Sequence, residues 1–413
     1  MTSSKQDRIA ALPAHLREEL RRRMAGAAAR PDRIPAADRS RTLPLSFAQQ
    51  RLWFLDQLRP GGAEYNSAFA LRLTGPLDVQ ALAEALRLLV ARHESLRTTF
   101  GEVDGAGVQL VHPPYDVPLP LVDVSPDGLD EVLRTEYSRP FDLRRGPLVR
   151  AMLARLGRAE HVLLVSMHHI VTDGWSMGVL TEELSVLYEQ GTAAVLPPQP
   201  LQYADFAAWQ RNQAELDDQL GYWERHLAEV TPLQLPLDRP RPTVRSAAGA
   251  AREFTVPAGV AAGLRELART SETTLFTVLL TACQVLFARY AGQADVTLGT
   301  AVSGRSRPEL ERVVGFFVNT LAIRSTVDTS ASFAELLGGT RQAVLDAFAH
   351  QDVPFEQVVD VVHAERSAAR NPLFDVMVLL QNTPATKPAF PGLSVEPVGV
   401  ARRSAVFDVT VEF

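Results

Sequence analysis

The hydrophobic positions of this chain fall into short runs whose period switches repeatedly between that of a strand and that of a helix. Ser67–Leu73 alternates and predicts a strand. Asp78 then stands before a helical pattern over Val79–His93, with Leu82, Leu86, Leu89 and Val90 on one face. Ser46 is placed to cap an earlier helix that reaches about Leu58. Strands are expected at Leu96–Val103 and Val108–His112, followed by a helix near residues 128–138. Two more strands are expected at Leu148–Leu156 and His161–His168. The second of them contains Val162-Leu163-Leu164-Val165, a short apolar run rich in β-branched residues, as in a buried strand. Val179, Leu180, Glu183, Leu184 and Leu187 then mark a helix that ends near Gly191.

Leu196-Pro197-Pro198-Gln199-Pro200 interrupts the pattern and is the best boundary between two lobes. Beyond it, helices are predicted at Tyr203–Gln213, Asp217–Glu229, Ala258–Thr270, Leu275–Tyr290, Phe333–His350 and Phe355–His363. Strands are predicted at Arg252–Val256, Asp295–Val302, Val318–Ser325, Phe374–Gln381 and Phe407–Phe413. Two lobes of similar size and similar α/β content suggest a pseudo-dimer with a cleft between them. Residues 1–42 form a segment rich in Ala, Arg and Pro, with a helix at Pro13–Ala28 and a linker after it. That helix reads first as solvated and loosely attached, with an adapter to an upstream protein as the alternative. Residues 43–195 and 196–413 are then the two lobes. A strand pattern running to the last residue predicts that the second lobe is truncated at its C-terminal end.

Composition narrows the class. The chain has 413 residues, 46% of them hydrophobic and 22% charged, ordinary values for a globular protein. A net charge of −6 argues against a nucleic-acid binder held by phosphate contacts. Cys283, the only cysteine, lies in an apolar helical run and reads as a small core residue, not a nucleophile. There is no signal-peptide layout and no apolar run of membrane-spanning length, so a cytoplasmic protein is expected.

Candidate chemistry centres on Ser166-Met167-His168-His169-Ile170-Val171-Thr172-Asp173-Gly174-Trp175-Ser176, where a strand runs through a turn into a helix. Such a rim exposes side chains, and a histidine there takes and returns protons near neutral pH. His168 alternates to the opposite side of the strand from His169, which favours a structural role for it. Asp173 is expected in a buried pair with an arginine, for which Arg92, Arg97 and Arg305 are all candidates by spacing. Gly174 would let a substrate approach the backbone closely, or is an ordinary turn glycine.

Seven segments in register resemble one family. They are Ser46-Phe47-Ala48-Gln49-Gln50-Arg51-Leu52-Trp53-Phe54-Leu55; Arg92-His93-Glu94-Ser95-Leu96-Arg97-Thr98-Thr99-Phe100; the histidine turn; Tyr203-Ala204-Asp205-Phe206-Ala207-Ala208-Trp209; Val314-Gly315-Phe316-Phe317-Val318-Asn319-Thr320; His350-Gln351-Asp352-Val353-Pro354-Phe355-Glu356; and Arg370-Asn371-Pro372-Leu373. They resemble the motifs of condensation domains of nonribosomal peptide synthetases over roughly Leu43–Phe413. Thr172 departs from the more usual serine. The resemblance implies two lobes like chloramphenicol acetyltransferase in a V-shaped pseudo-dimer of α/β (α+β) class, with a central tunnel. It implies an acyltransferase that joins a donor aminoacyl or peptidyl thioester to the amine of an acceptor aminoacyl thioester. Both substrates would ride on phosphopantetheine arms of upstream and downstream carrier proteins. An adenylation domain is an expected neighbour, with no permanent cofactor, no metal, no nucleic acid and no membrane. The wording of the first motif looks like the subtype that joins an L-donor to an L-acceptor.

On this resemblance His169 lies at the tunnel centre, either as general base or as a group orienting the amine. His168, Asp173 and Gly174 complete the catalytic turn. Arg51, Trp175, Ser176 and Asn319 are placed along the tunnel, and Arg92, Arg97 and Arg305 support it. Arg51 is otherwise an exposed charge, and Asn319, in an apolar strand, needs partners. Trp53, Phe54, Trp209 and Phe316 read as core. The rival readings are an epimerisation domain, a cyclisation domain, a free acyltransferase using coenzyme A, and an inactive platform that recruits a partner enzyme. His168 and His169 speak against cyclisation, and the intact turn against a platform.

Overall fold

A computed structural model describes residues 33–213, 216–363, 369–381, 388–401 and 403–413. The expected helix Pro13–Ala28 lies outside the described residues. The chain first forms β1 (Leu43–Pro44), α1 (Phe47–Leu58), β2 (Asn66–Thr74) and α2 (Val79–Arg92). It continues through β3 (Thr98–Val103), β4 (Ala106–Val111), β5 (Leu121–Asp123), α3 (Leu129–Tyr137), β6 (Val149–Gly157), β7 (Glu160–His168) and α4 (Gly174–Gln190). Then come α5 (Tyr203–Arg211), α6 (Asp217–His226), α7 (Ala258–Thr270), α8 (Leu275–Ala291), β8 (Asp295–Val302) and β9 (Asn319–Thr326). The last elements are α9 (Phe333–Ala349), α10 (Phe355–Val361), β10 (Val376–Leu379), β11 (Ser394–Val398) and β12 (Val409–Glu412).

The strands make three sheets, ordered β1-β4-β3, β11-β2-β7-β6-β5 and β12-β10-β8-β9. In the five-stranded sheet β7 is central, and helices cover both of its faces. Leu163, Val165 and Met167 enter one core with Leu82, Leu86 and Leu184 of α2 and α4. Val162 and Leu164 face the other way, onto Leu129 and Leu133 of α3. This two-sided cover is why β7 carries an unbroken apolar run and not an alternating one. Each such side chain contributes roughly 1.5–3 kcal/mol by leaving water. The four-stranded sheet has its own core, built from Val296, Leu298, Ile323 and Val376 with Phe287 of α8 and Val344 of α9.

Local signals work as expected at the helix starts. Ser46 forms a capping box with Gln49, and Asp78 accepts from the backbone N–H groups of Gln80 and Ala81. Three expectations need correction. Arg252–Val256 is not a strand; it runs along a cavity wall with Phe254 exposed. Leu96 belongs to a short 3₁₀ turn, Glu94–Arg97, and only then does β3 begin. Phe54 is not core but 59% exposed.

Tertiary pairing also supplies what no local pattern announced. β11 comes from the second half of the chain yet pairs antiparallel with β2, Ser394 opposite Thr74 and Val398 opposite Ala70. The proposed second lobe, residues 196–413, therefore lends a strand to the first lobe's sheet. α5 likewise packs on β1 and α1. Among the described residues no single helix is long and apolar enough to cross a membrane.

Candidate active site

Strand alternation decides the two histidines. His168 continues the face of Val162 and Leu164, opposite Asn66 in the sheet register. It is buried, with its ring beside those of Tyr65 and Phe141 at 6.4 and 6.3 Å. Its Nδ1 accepts from the Ile170 N–H at 3.1 Å. Burial, and then the neighbouring His169, push its pKa down to about 3. It is therefore neutral at physiological pH and holds the turn from behind.

His169 begins the 3₁₀ turn His169–Val171, and its backbone N–H donates to the Tyr65 carbonyl at 2.8 Å. Its side chain faces a cavity of about 1030 Å³. Ring Nδ1 lies 3.1 Å from the Thr172 carbonyl oxygen. A carbonyl only accepts, so Nδ1 carries the hydrogen and Nε2 holds the lone pair. The Phe316 ring stands 5.7 Å from the imidazole.

Asp173 is 1% exposed and caps α4, accepting from the Ser176 N–H at 2.8 Å. Its partner among the three candidate arginines is Arg305, at 3.0 and 3.3 Å. The Phe317 N–H donates to the same carboxylate at 3.0 Å. Arg305 also reaches the Ser176 hydroxyl at 2.8 Å and lies 4.0 Å over the Phe317 ring. Burial pulls the basicity of Arg305 down, and Asp173 opposes that pull. Arg92 and Arg97 are elsewhere. Arg92 pairs with the buried Glu183 at 2.8 Å, beside His93, and Arg97 donates to the His112 carbonyl. Both stabilise the first half of the chain, away from Asp173.

Two tunnel assignments also change. Trp175 donates to the Glu311 carbonyl at 2.7 Å, and Ser176 donates to the Gly315 carbonyl at 3.0 Å; neither lines the cavity. With Asp173 and Arg305 they tie the start of α4 to residues 305–317. Gly304 and Gly315 make this approach possible. Gly304 has φ +63, and a Cβ there would stand 1.9 Å from the Phe317 carbonyl oxygen. A Cβ on Gly315 would stand 1.9 Å from the Tyr203 ring, which is buried. The Tyr203 hydroxyl donates to the Phe316 carbonyl and lies 2.8 Å from the Ser46 hydroxyl, and its burial pushes its pKa up. Gly315→Ala should therefore cost roughly 1–3 kcal/mol by overpacking. A urea titration with an unchanged midpoint would contradict this.

Arg51 and Asn319 do line the cavity. Arg51 faces Glu356 across the two halves at 3.8 Å and lies 5.4 Å from the Phe355 ring centroid. Burial pushes the Glu356 carboxyl up, with Arg51 opposing. Asn319 donates to the carbonyls of Gln351 and Val353 at 2.9 and 2.7 Å and accepts from the Phe355 N–H at 3.0 Å. It thereby fixes the loop that starts α10. Trp209 and Phe316, expected in the core, are half-buried in the cavity wall. Tyr65 and Glu356 in the wall, and Tyr203 behind it, are placed at this site although sequence reasoning did not single them out. The last two stand inside the family motifs, but residue type alone did not separate wall from core. Five of the seven motifs contribute to the wall; the second and seventh do not. In the seventh, Arg370 anchors Asp375 and the Leu233 carbonyl. Among the described residues no group of three or more His, Cys, Asp or Glu is placed to hold a metal.

Comparison with known proteins identifies the family. The Condensation domain family matches residues 39–413, and the chain belongs to that family. It is 46% identical over 394 residues to one of the subunits of linear gramicidin synthase of Brevibacillus parabrevis, covering 92% of this chain and 5% of that protein. It thus spans a small fraction of such a synthetase. The X-domain from teicoplanin biosynthesis shares the fold with a TM-score of 0.85 and 30% identity, over 92% of this chain and 86% of that one. The first condensation domain of the calcium-dependent antibiotic synthetase, solved with a substrate analogue, gives 0.76 at 23% identity over 91% and 88% of the two chains, a likeness of fold. Condensation domains of nonribosomal peptide synthetases are acyltransferases that form peptide bonds between substrates held on carrier-protein phosphopantetheine arms.

Proposed function

We propose that this chain is an active condensation domain, and that it joins a donor aminoacyl or peptidyl thioester to the α-amine of an acceptor aminoacyl thioester. The observation that carries the reading is the His169 imidazole on the wall of a cavity shared by both halves, its tautomer set by Thr172. The acceptor nitrogen attacks the donor carbonyl carbon. The C–N bond forms, the C–S bond breaks, and the pantetheine thiol leaves with the proton that the amine gives up. His169 Nε2 accepts that proton, or its hydrogen bond orients the amine. His168 and Asp173 are positioning residues in this scheme. The first motif supports an L-donor and an L-acceptor.

The test mixes the protein with two carrier proteins that bear different aminoacyl-pantetheine groups. Intact mass should reveal a dipeptidyl carrier. The likeness to the teicoplanin X-domain, which has been solved in complex with OxyB, supplies the second reading, a recruiting platform. Folded protein that yields no dipeptidyl carrier with any loaded pair would favour the platform.

Gly174, like Trp175 and Ser176, is not among the residues that line the cavity, and its place on the path of an arm rests on the family motif. It is exposed, and a Cβ there meets no atom within 4 Å, so the fold itself does not demand glycine. Gly174→Ala should leave stability within about 0.5 kcal/mol of the parent. Gly174→Leu should slow transfer by filling the space an arm needs. Normal turnover of the leucine variant would remove Gly174 from the tunnel wall.

A further inference from the structure

Ahead of β1 the chain runs as an extended strap across three separate parts of the fold. Ile34 is 4% exposed and shares a small core with Tyr203 and Phe206 of α5 and with Val313 and Phe317. Its backbone N–H donates to the Glu309 carboxylate at 3.1 Å. The Ala37 N–H donates to the Asp205 carboxylate at 2.8 Å. Arg39 donates to the same Asp205 oxygen at 2.6 Å and grips Glu94 at 3.1 and 2.7 Å. Glu94 lies in the turn after α2, Asp205 in α5, and Glu309 between β8 and β9. The second oxygen of Asp205 accepts from the Gln202 N–H at 2.7 Å, so Arg39 also steadies the start of α5, where Tyr203 stands.

The strap backs the segment that faces His169. The Phe316 ring stands 5.7 Å from the imidazole, and its carbonyl accepts from the Tyr203 hydroxyl. The Phe317 N–H donates to Asp173, and its ring lies 4.8 Å from that of Tyr203 and 4.7 Å from that of Phe206. Asp173 and Tyr203 thus hold residues 316 and 317 by hydrogen bonds, and Ile34 adds packing to the same aromatic group. The Condensation domain match begins at residue 39, so Ile34 lies outside it.

Resting on the condensation reading above, we propose that Ile34 and Arg39 are positioning residues for amide formation, because the strap they anchor sets how residues 316 and 317 stand against His169. Interiors are close-packed, so volume removed beside Phe317 shifts its neighbours. Rates depend steeply on such placement: a shift of about 1 Å costs on the order of 10²-fold. Neither residue lines the cavity, so neither touches substrate. The effect falls on kcat and leaves KM for the loaded carriers in place.

The experiment compares Ile34→Ala and Arg39→Ala with the parent protein and with the conservative variants Ile34→Val and Arg39→Lys. All are assayed at a temperature where circular dichroism shows each one folded. Dipeptidyl-carrier formation should lose about tenfold in kcat in each alanine variant, with KM for both loaded carriers within about twofold of the parent. Valine at 34 should restore most of the rate. Lysine at 39 should restore part of it, since it keeps the charge and loses the fork that grips Glu94. Hydrogen exchange supplies a second readout: the Gly315 and Phe317 amides should exchange faster in the alanine variants, while the amides of β7 keep their parental protection. If Ile34→Ala does not fold, Arg39→Ala decides alone, because its side chain is 33% exposed and its removal leaves no void in packed core. Parental kcat in folded alanine variants would overturn the positioning role and leave the condensation reading intact. So would exchange that quickens equally in β7 and at residues 315–317, the mark of a general loss of stability. No dipeptidyl carrier from the parent protein with any loaded pair would overturn the condensation reading, and the positioning role with it.

Discussion

His169→Ala lowers the rate of dipeptidyl-carrier formation by about 10²–10⁴-fold, the range for losing a positioned proton acceptor. The protein stays folded, because the ring is half-buried and faces a cavity, so its removal leaves no void in packed core. The change deletes the hydrogen bond from Nδ1–H to the Thr172 carbonyl, whose net contribution is about 1 kcal/mol. Single-turnover assays with both carriers loaded measure the rate, and circular dichroism checks the fold. A folded alanine variant with parental rates would show that the imidazole is a bystander. In both roles left open Nε2 accepts a hydrogen from the amine, so the parent rate should rise as the imidazole deprotonates; a rate that falls instead would show that the imidazolium is the acting form.

Asp173→Ala destabilises the protein by roughly 3–5 kcal/mol, because it strands Arg305 in the interior. Arg305 is 2% exposed at its side chain, and Asp173 is its close carboxylate partner at 3.0 Å. The same change removes the cap of α4 and an acceptor for the Phe317 N–H. Chemical denaturation of the parent and the variant measures the loss. The double variant Asp173→Leu/Arg305→Met recovers part of it, since an apolar pair leaves no uncompensated charge. If Asp173→Ala were as stable as the parent but slower, Asp173 would act in the chemistry and not in holding the turn. Equal destabilisation of the single and double variants would mean that the cap and the Phe317 bond, not the ion pair, carry the energy.

The contrast between β7 and the second half shows where the chain alone was informative. Val162–Val165 announces a strand because each apolar residue meets a helix on one face or the other, and that requirement is written residue by residue. Helix starts are equally local: Ser46, Asp78 and Asp173 satisfy backbone N–H groups two or three residues ahead. Arg252–Val256 failed for the same reason in reverse. Its alternation is real, but Phe254 points to solvent against Phe413, and nothing pairs with its backbone as a strand. Membership of the first motif did not predict depth either. Trp53 is buried, Phe54 is exposed, and both lie on α1.

The sequence by itself determined most of the helices and the longer strands, the strand-to-turn setting of His168 and His169, and their assignment to opposite sides, because these depend on periods of two and of about 3.6 residues along one segment. Only the tertiary structure decided that Arg305 and not Arg92 or Arg97 meets Asp173, that β11 crosses to β2, and that Trp175 and Ser176 brace the halves instead of lining the cavity. Those outcomes join residues separated by more than a hundred positions, and such a contact follows from how whole faces pack, which no local spacing encodes.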